Sequence, residues 1–219
     1  MEPPLTEIAI STLEIYAFCD PASGKDAKIR RRRARQAILV AGRDWLDRWF
    51  VLHSWAGTET PTQLLHRILD VYDKWRPRRF GIEANGMQVL FGSLVRDAGR
   101  ERFGDIRIIP VYQSTHVEKT FRIRNELDPV ISQGRLFLSD KTSALAIEIR
   151  GFPTAATKDL VDCLGTVVNL APKRPEKLVK SAQMEQYASY LRNTGCPPHL
   201  IAEKLATYER ENEPELAQT

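Results

Sequence analysis

The sequence predicts a mixed α/β domain: a five-stranded sheet flanked by helices, with a small helical appendage at the C-terminal end. Three observations lead there. Strand-like runs at 13–20, 36–42 and 45–55 follow one another with no helical pattern between them, which suits an antiparallel meander. Two later strand-like runs, 79–84 and 105–112, each arrive after a helical stretch, and helical crossovers favour parallel pairing. Beyond Pro172-Lys-Arg-Pro175 only helical patterns remain.

Each element has its own signal. The run Leu-Glu-Ile-Tyr-Ala-Phe-Cys-Asp at 13–20 is apolar almost to its end and is stopped by Pro21 and Gly24, as a buried central strand would be. Arg43-Asp44 suits a hairpin turn between the second and third strands. Thr60-Pro61 gives a helix start, a Thr cap with Pro in the first turn, and Leu64, Leu65, Ile68, Val71 and Tyr72 then recur at helical spacing up to Trp75. A short strand at 79–84 is broken by Asn85-Gly86, and a second helix runs over 87–98 until Gly99. Pro110 makes the fifth strand an edge strand or a strand end. A helix over 119–132 carries Pro129, which is expected to kink or interrupt it. A short extended piece at 135–138 and helices at 143–150 and 158–170 complete the domain. The expected organisation is a tail at 1–12, a domain at 13–172, a linker at 173–180, a helical pair at 181–212 and a disordered tail at 213–219.

Bulk properties narrow the function classes. The 219 residues are 42% hydrophobic and 27% charged, ordinary for a globular protein, and no apolar run approaches the ~20 residues of a membrane span. The acidic, proline-bearing start Met-Glu-Pro-Pro does not resemble a secretory signal. Cys19, Cys163 and Cys196 are odd in number and unpatterned, which argues against a disulfide framework or zinc site and for a reducing compartment. The net charge of +4 is only mildly basic, so its distribution matters more: Arg30, Arg31, Arg32, Arg33 and Arg35 crowd into one loop.

The chemistry lies in four acids. Asp20 ends the first strand and Glu83 the fourth; if those strands are neighbours, both carboxylates leave the same sheet edge. Asp159 and Asp162, three apart, share one helix face, and Leu160, Val161 and Leu164 supply contacts to hold that helix on the sheet. Such a cluster would repel itself unless a cation compensated it. Magnesium or manganese, hard ions preferring oxygen ligands, would suit, and two ions ~3.5–4 Å apart can activate water and stabilise the leaving oxygen of a phosphodiester.

The element order is that of a ribonuclease H-like fold, and the motifs resemble the nuclease domain of the large terminase subunit of tailed bacteriophages. The matching segments are Phe-Cys-Asp-Pro-Ala at 18–22, Gly-Ile-Glu-Ala-Asn-Gly at 81–86, Lys-Thr-Phe-Arg-Ile at 119–123, Gly-Arg-Leu-Phe-Leu at 134–138 and Lys-Asp-Leu-Val-Asp-Cys-Leu at 158–164. The resemblance implies an endonuclease with two divalent ions, Mg2+ or Mn2+, that cuts concatemeric viral DNA during packaging in the bacterial host cytoplasm. It implies Asp20 and Glu83 as metal ligands and a third acid from Asp159 or Asp162. A separate ATPase motor, a portal and a small terminase subunit would be its partners beside double-stranded DNA. Where the family often shows His-Asp-Asp, this chain has Thr157-Lys158-Asp159, which leaves the third ligand open. Gly24-Lys25 lacks the upstream glycine of a P-loop, so the expectation is a nuclease domain without its motor: an excised domain, a split gene product or a stand-alone relative. RuvC-like resolvases share a paired-aspartate helix, and a junction-specific nuclease is one alternative; a catalytically inactive DNA-binding module of the same fold is another.

Plainer roles compete for each residue. Asp20 could cap its own turn, Glu83 could be an exposed strand-end acid, and Asp159 could face solvent near a helix N-terminus. The arginine loop, with Lys119 and Arg122 on one helix face, is assigned to the DNA backbone, where bidentate guanidinium contacts position a duplex without reading its sequence. The alternative for Lys119 and Arg122 is pairing with nearby acids such as Glu118 and Glu126. The histidines form no pattern, Trp45, Trp49 and Trp55 are expected in the core or on the sheet face, and the cysteines are expected to be small core hydrophobes.

Overall fold

The structure, a computed structural model, describes residues 9–22, 35–85, 88–113, 118–174 and 176–211. It divides into two compact units. The larger covers 13–44 and 48–172, and the smaller holds the remainder, including the C-terminal helices.

The larger unit is built on a mixed sheet. Its strands are β1 (Glu14–Asp20), β2 (Gln36–Arg43), β3 (Trp49–Gly57), β4 (Arg79–Glu83), β5 (Ile108–Val111) and β6 (Leu136–Phe137), in the spatial order β5-β4-β1-β2-β3-β6. As expected, β1, β2 and β3 form an antiparallel meander, and β4 and β5 join in parallel. The extended piece near residue 136 becomes a sixth strand, parallel to β3, where Phe50 and Phe137 stack with ring centroids 4.9 Å apart. The extended piece is expected from sequence, but two paired residues give no period from which to read its place in the sheet. Pro110 sits in β5 at the sheet edge, where a missing N–H costs no ladder bond on the open side.

Helices α1 (Pro61–Trp75) and α2 (Gln88–Phe103) cover one face, and α3 (Lys119–Ile131), α4 (Ser143–Gly151) and α5 (Asp159–Leu170) build the other. The alternation of β1 divides the core accordingly. Tyr16 and Phe18 pack with Ile123, Leu127, Leu145, Leu164 and Val167, whereas Ala17 and Cys19 pack with Leu64, Ile68 and Val95. Every residue of β2 is buried, and burying one large apolar side chain stabilises by ~1.5–3 kcal/mol, so the meander is the stable platform.

Some element limits differ from expectation for local reasons. β3 begins at Trp49 rather than Trp45, because the Asp44 carboxylate ties down a turn by accepting from the Arg48 backbone N–H (2.8 Å) and Nε (2.7 Å). Trp45 is therefore exposed in that turn, not core. Gly99 does not end α2; it is there because Ile106 Cδ1 fills the space where a Cβ would stand. Pro129 lies in the last turn of α3, which runs on to Ile131 without a break.

In the smaller unit, α6 (Glu176–Asn193) starts within the segment expected as linker, and α7 (Pro198–Glu211) follows a turn at Gly195 (φ 75°). Tyr187 and Tyr208 stack between them at 4.6 Å. Among the described residues no helix is long and apolar enough to cross a membrane.

Candidate active site

The parallel register of β1 and β4 sets the site. Phe18 lies beside Gly81 and Cys19 beside Ile82, so Asp20 and Glu83 come next to each other where both strands end. The strand period then decides which way they face. Tyr16 and Phe18 point to the α5 side, and Asp20 continues that series; Phe80 and Ile82 point to the α1 side, so Glu83 shares the face of Gly81. At Gly81 a Cβ would lie 2.8 Å from Val111 Cγ2 and 2.9 Å from Leu170 Cδ1, and this bare patch of strand lets the end of α5 settle on β4.

The Asp20 and Glu83 carboxyls are within hydrogen-bonding reach of one another. Burial raises the Asp20 pKa; the Ala22 N–H (2.8 Å), Glu83 and the Lys119 charge pull it down, and the Asp162 charge pushes it up. Glu83 is pushed to about 7, first by burial and then by the Asp20 charge and hydrogen bond, against the Asn85 amide, which donates to Glu83 Oε1 at 2.9 Å. Of the two, Glu83 is pushed further toward its protonated form, so a proton shared by the pair would sit on it. Asp20 also caps its own turn, since Ala22 has a left-handed backbone (φ 62°) stabilised by that carboxylate.

The helix side is arranged differently. Asp162 is buried, and both of its oxygens are taken: Lys119 Nζ lies 2.9 Å from Oδ2, and Arg122 Nη2 donates to Oδ1. Lys119 and Arg122, assigned from sequence to DNA, are thus ion-paired to an acid of the site, though not to the Glu118 or Glu126 considered as partners. Glu118 instead caps α3 by accepting from Thr120 N–H. Asp159 is half-buried, its pKa raised by burial, lowered by Lys119, and raised again by Glu148 and Asp20. Among the described residues no ion pair engages Asp159, and no group of three or more His, Cys, Asp or Glu has the spacing of a metal site.

The four acids therefore share one electrostatic neighbourhood without forming a closed ligand cage. Their donor set fits a hard divalent cation in part. Asp20 and Glu83 are adjacent, half-buried and engaged by no ion pair among the described residues, which is the condition a cation relieves. Asp159 stands near enough to feel Asp20, while Asp162 would have to give up a bond to Lys119 or Arg122 before coordinating.

Of the arginine loop, only Arg35 falls among the described residues. Its Nη1 lies 3.5 Å from Glu148 Oε1. Arg30, Arg31, Arg32 and Arg33 lie outside the described residues. Cys19 and Cys163 are fully buried, as expected for core hydrophobes, whereas Cys196 is only half-buried and is not a core residue.

Several supporting residues escaped sequence reasoning. Asn85, taken as a turn residue, bridges Glu83 and the Gln113 carbonyl (3.3 Å), and Gln113 Nε2 donates to Thr166 Oγ1 (3.3 Å) on α5. Glu126 lies over Gly165 of α5, where a Cβ would collide with its Oε2. That oxygen is buried without a partner, and burial pushes the Glu126 pKa to about 7. Glu148 was visible only as a single acid in an otherwise apolar helix, Ala-Leu-Ala-Ile-Glu-Ile.

No protein-family model matches the sequence, and no curated protein matches it. Solved structures do resemble the fold. The P22 large terminase nuclease domain is 15% identical with a TM-score of 0.50, the match covering 75% of this chain and 81% of that one. T. thermophilus RuvC in complex with a Holliday junction substrate gives 12% identity and a TM-score of 0.41, over 70% of this chain and 90% of the other. The large terminase of a thermophilic bacteriophage gives 10% identity and a TM-score of 0.49, over 71% of this chain but 38% of that protein. At these identities the likeness is one of architecture: the larger unit has a ribonuclease H-like fold.

Proposed function

We propose that this chain is a metal-dependent DNA endonuclease of the terminase type, acting on double-stranded viral DNA in the cytoplasm of a bacterial host. The observation that carries the proposal is the register that sets Asp20 beside Glu83, uncompensated, on the face covered by the aspartate-bearing helix. The order of the five matching motifs and the ribonuclease H-like fold support the same function.

In this proposal Asp20 and Glu83 hold Mg2+ or Mn2+, with a third carboxylate from Asp159 or from Asp162 after it releases a cation. The bound ion supplies Lewis-acid stabilisation to the charge that develops on the phosphate oxygens. Asn85 fixes the Glu83 rotamer through its 2.9 Å bond, so that the carboxyl keeps facing Asp20. As a ligand Glu83 would be in its ionised form, and the positive charge of the ion would offset the burial and the Asp20 charge that raise its pKa to about 7. Lys119 and Arg122 keep α3 docked on α5 and set a positive charge beside the acids, where a phosphate approaches. Arg30, Arg31, Arg32, Arg33 and Arg35 contact the DNA backbone, and their salt-sensitive grip gives affinity without sequence preference. A motor, portal and small subunit would direct the cut to packaging.

Supercoiled plasmid incubated with manganese, magnesium or chelator tests the proposal. Nicking and linearisation with either metal, abolished by chelator, is the expected result; an intact plasmid under all three conditions overturns it. Offered four-way junctions and linear duplex together, the protein is expected to cut the duplex at least as well. Strong preference for the junction would move the function to a resolvase.

A further inference from the structure

The cluster around Glu148 is absorbed by none of the roles above. Helix α5 begins with Lys158 as its cap residue, and no side chain at that position bonds back to the helix. Its first N–H groups are nevertheless buried and need acceptors. A carboxylate from a different helix supplies them. Glu148 of α4 is 3% exposed; its Oε2 accepts from Leu160 N–H at 2.8 Å and Val161 N–H at 3.1 Å. Its Oε1 accepts from the Thr157 hydroxyl at 2.7 Å and lies 3.5 Å from Arg35 Nη1. One buried side chain therefore ties together α4, the turn before α5, the first turn of α5 and the residue that precedes β2.

We infer that Glu148 is a positioning residue: by capping α5 in trans it fixes the rotation and depth of the helix that aims Asp159 and Asp162 at Asp20 and Glu83. This rests on the nuclease function proposed above. The geometry favours the role because the two bonded amides, Leu160 and Val161, lie between Asp159 and Asp162 in sequence. Without the carboxylate those amides are buried and unsatisfied, and the first turn can regain acceptors only by shifting or fraying. A helix turn is about 5.4 Å high, so a small slide is enough to carry Asp159 away from Asp20. The charge is suited to the place as well, since an anion at a helix N-terminus is favoured by the helix dipole. Glutamine retains one acceptor oxygen for the amides but gives up the charge and the Arg35 pair.

The test compares wild type, Glu148→Gln and Glu148→Ala in the full chain, below the melting temperature of each. Amide hydrogen exchange is the first measurement. In Glu148→Ala, protection at 160–163 is expected to fall at least tenfold while β1 and β2 keep theirs, and Glu148→Gln is expected to restore most of it. Unchanged protection at 160–163, or an equal loss across the sheet, overturns the inference. Plasmid cleavage and manganese titration are the second. Glu148→Ala is expected to lower kcat at least tenfold with KM for DNA changed less than threefold, and to weaken manganese binding measured by calorimetry; glutamine is expected to recover most of both. Wild-type kcat and manganese affinity in Glu148→Ala would overturn it. If wild type neither cuts nor binds manganese, the nuclease proposal fails by itself, and the exchange data still decide whether Glu148 holds the helix.

Discussion

Asp20 with Glu83 and Asp162 with its two cations are neighbouring acidic regions that meet the same problem by opposite means. All three side chains lose water. Asp162 is compensated from within the chain, by ion pairs to Lys119 and Arg122. Asp20 and Glu83 have one another, an amide and a turn N–H, and their pKa values rise. Compensated acids organise a structure; uncompensated ones keep an appetite for a proton or a metal. On the function proposed above, the difference assigns the chemistry first to the strand-end pair, while the Asp162 ion pairs fasten α3 to α5.

The comparison breaks most visibly at the strand ends. Asp20→Asn should lower plasmid cleavage by about two orders of magnitude or more while leaving DNA affinity, measured by gel shift, near wild type. Cleavage at the wild-type rate would remove the strand-end pair from the mechanism.

Breaking the fastening should act on stability. Arg122 is largely buried against Asp162, so Arg122→Ala is expected to destabilise by about 2–3 kcal/mol, or about 4–12 °C in Tm. The Lys119 side chain is 45% exposed, and Lys119→Ala should cost under about 1 kcal/mol. Equal costs for the two variants in thermal melts would contradict the buried geometry.

The seat between the two regions is Gly81. Gly81→Ala places a methyl group against Val111 and Leu170 and should cost about 1–3 kcal/mol by overpacking, seen in denaturant melts. If stability is unchanged, α5 does not rest on β4 as closely as the structure shows.

The smallest expected effect is a pH slope. Glu83 holds its proton up to about pH 7, against an ordinary value of 4.5, so between those values the folded protein binds a proton that the unfolded chain has released. The native state is therefore favoured at the lower end, and stability without metal should fall as pH rises from about 4.5 to about 7, then level off. Glu126, also raised to about 7, adds a slope of the same sign. Tm measured in chelator across this range should fall by a few degrees, and Glu83→Gln should flatten part of the decline. A rising Tm would reverse the assignment of the shared proton.

Much of this was legible along the chain, and the parts that were not share a cause. The buried run ending in Asp20, the Thr60-Pro61 helix start, the parallel arrival of β4 and the apolar helix around Asp162 are local patterns, each fixed by a period or a cap. From them follow the sheet order at its centre and the meeting of Asp20 with Glu83. The sixth strand, the continuation of α2 through Gly99 and the exposure of Trp45 depend on contacts with distant residues, which no window of sequence contains. The same holds for the site. Sequence determined which acids gather, because strand alternation and helix spacing act within a few residues. Only the tertiary structure decided which of them is neutralised: Lys119 and Arg122 reach Asp162 from another helix, Glu148 caps α5 from a third, and a charge is compensated by whatever lies near it in space, however far away in the chain.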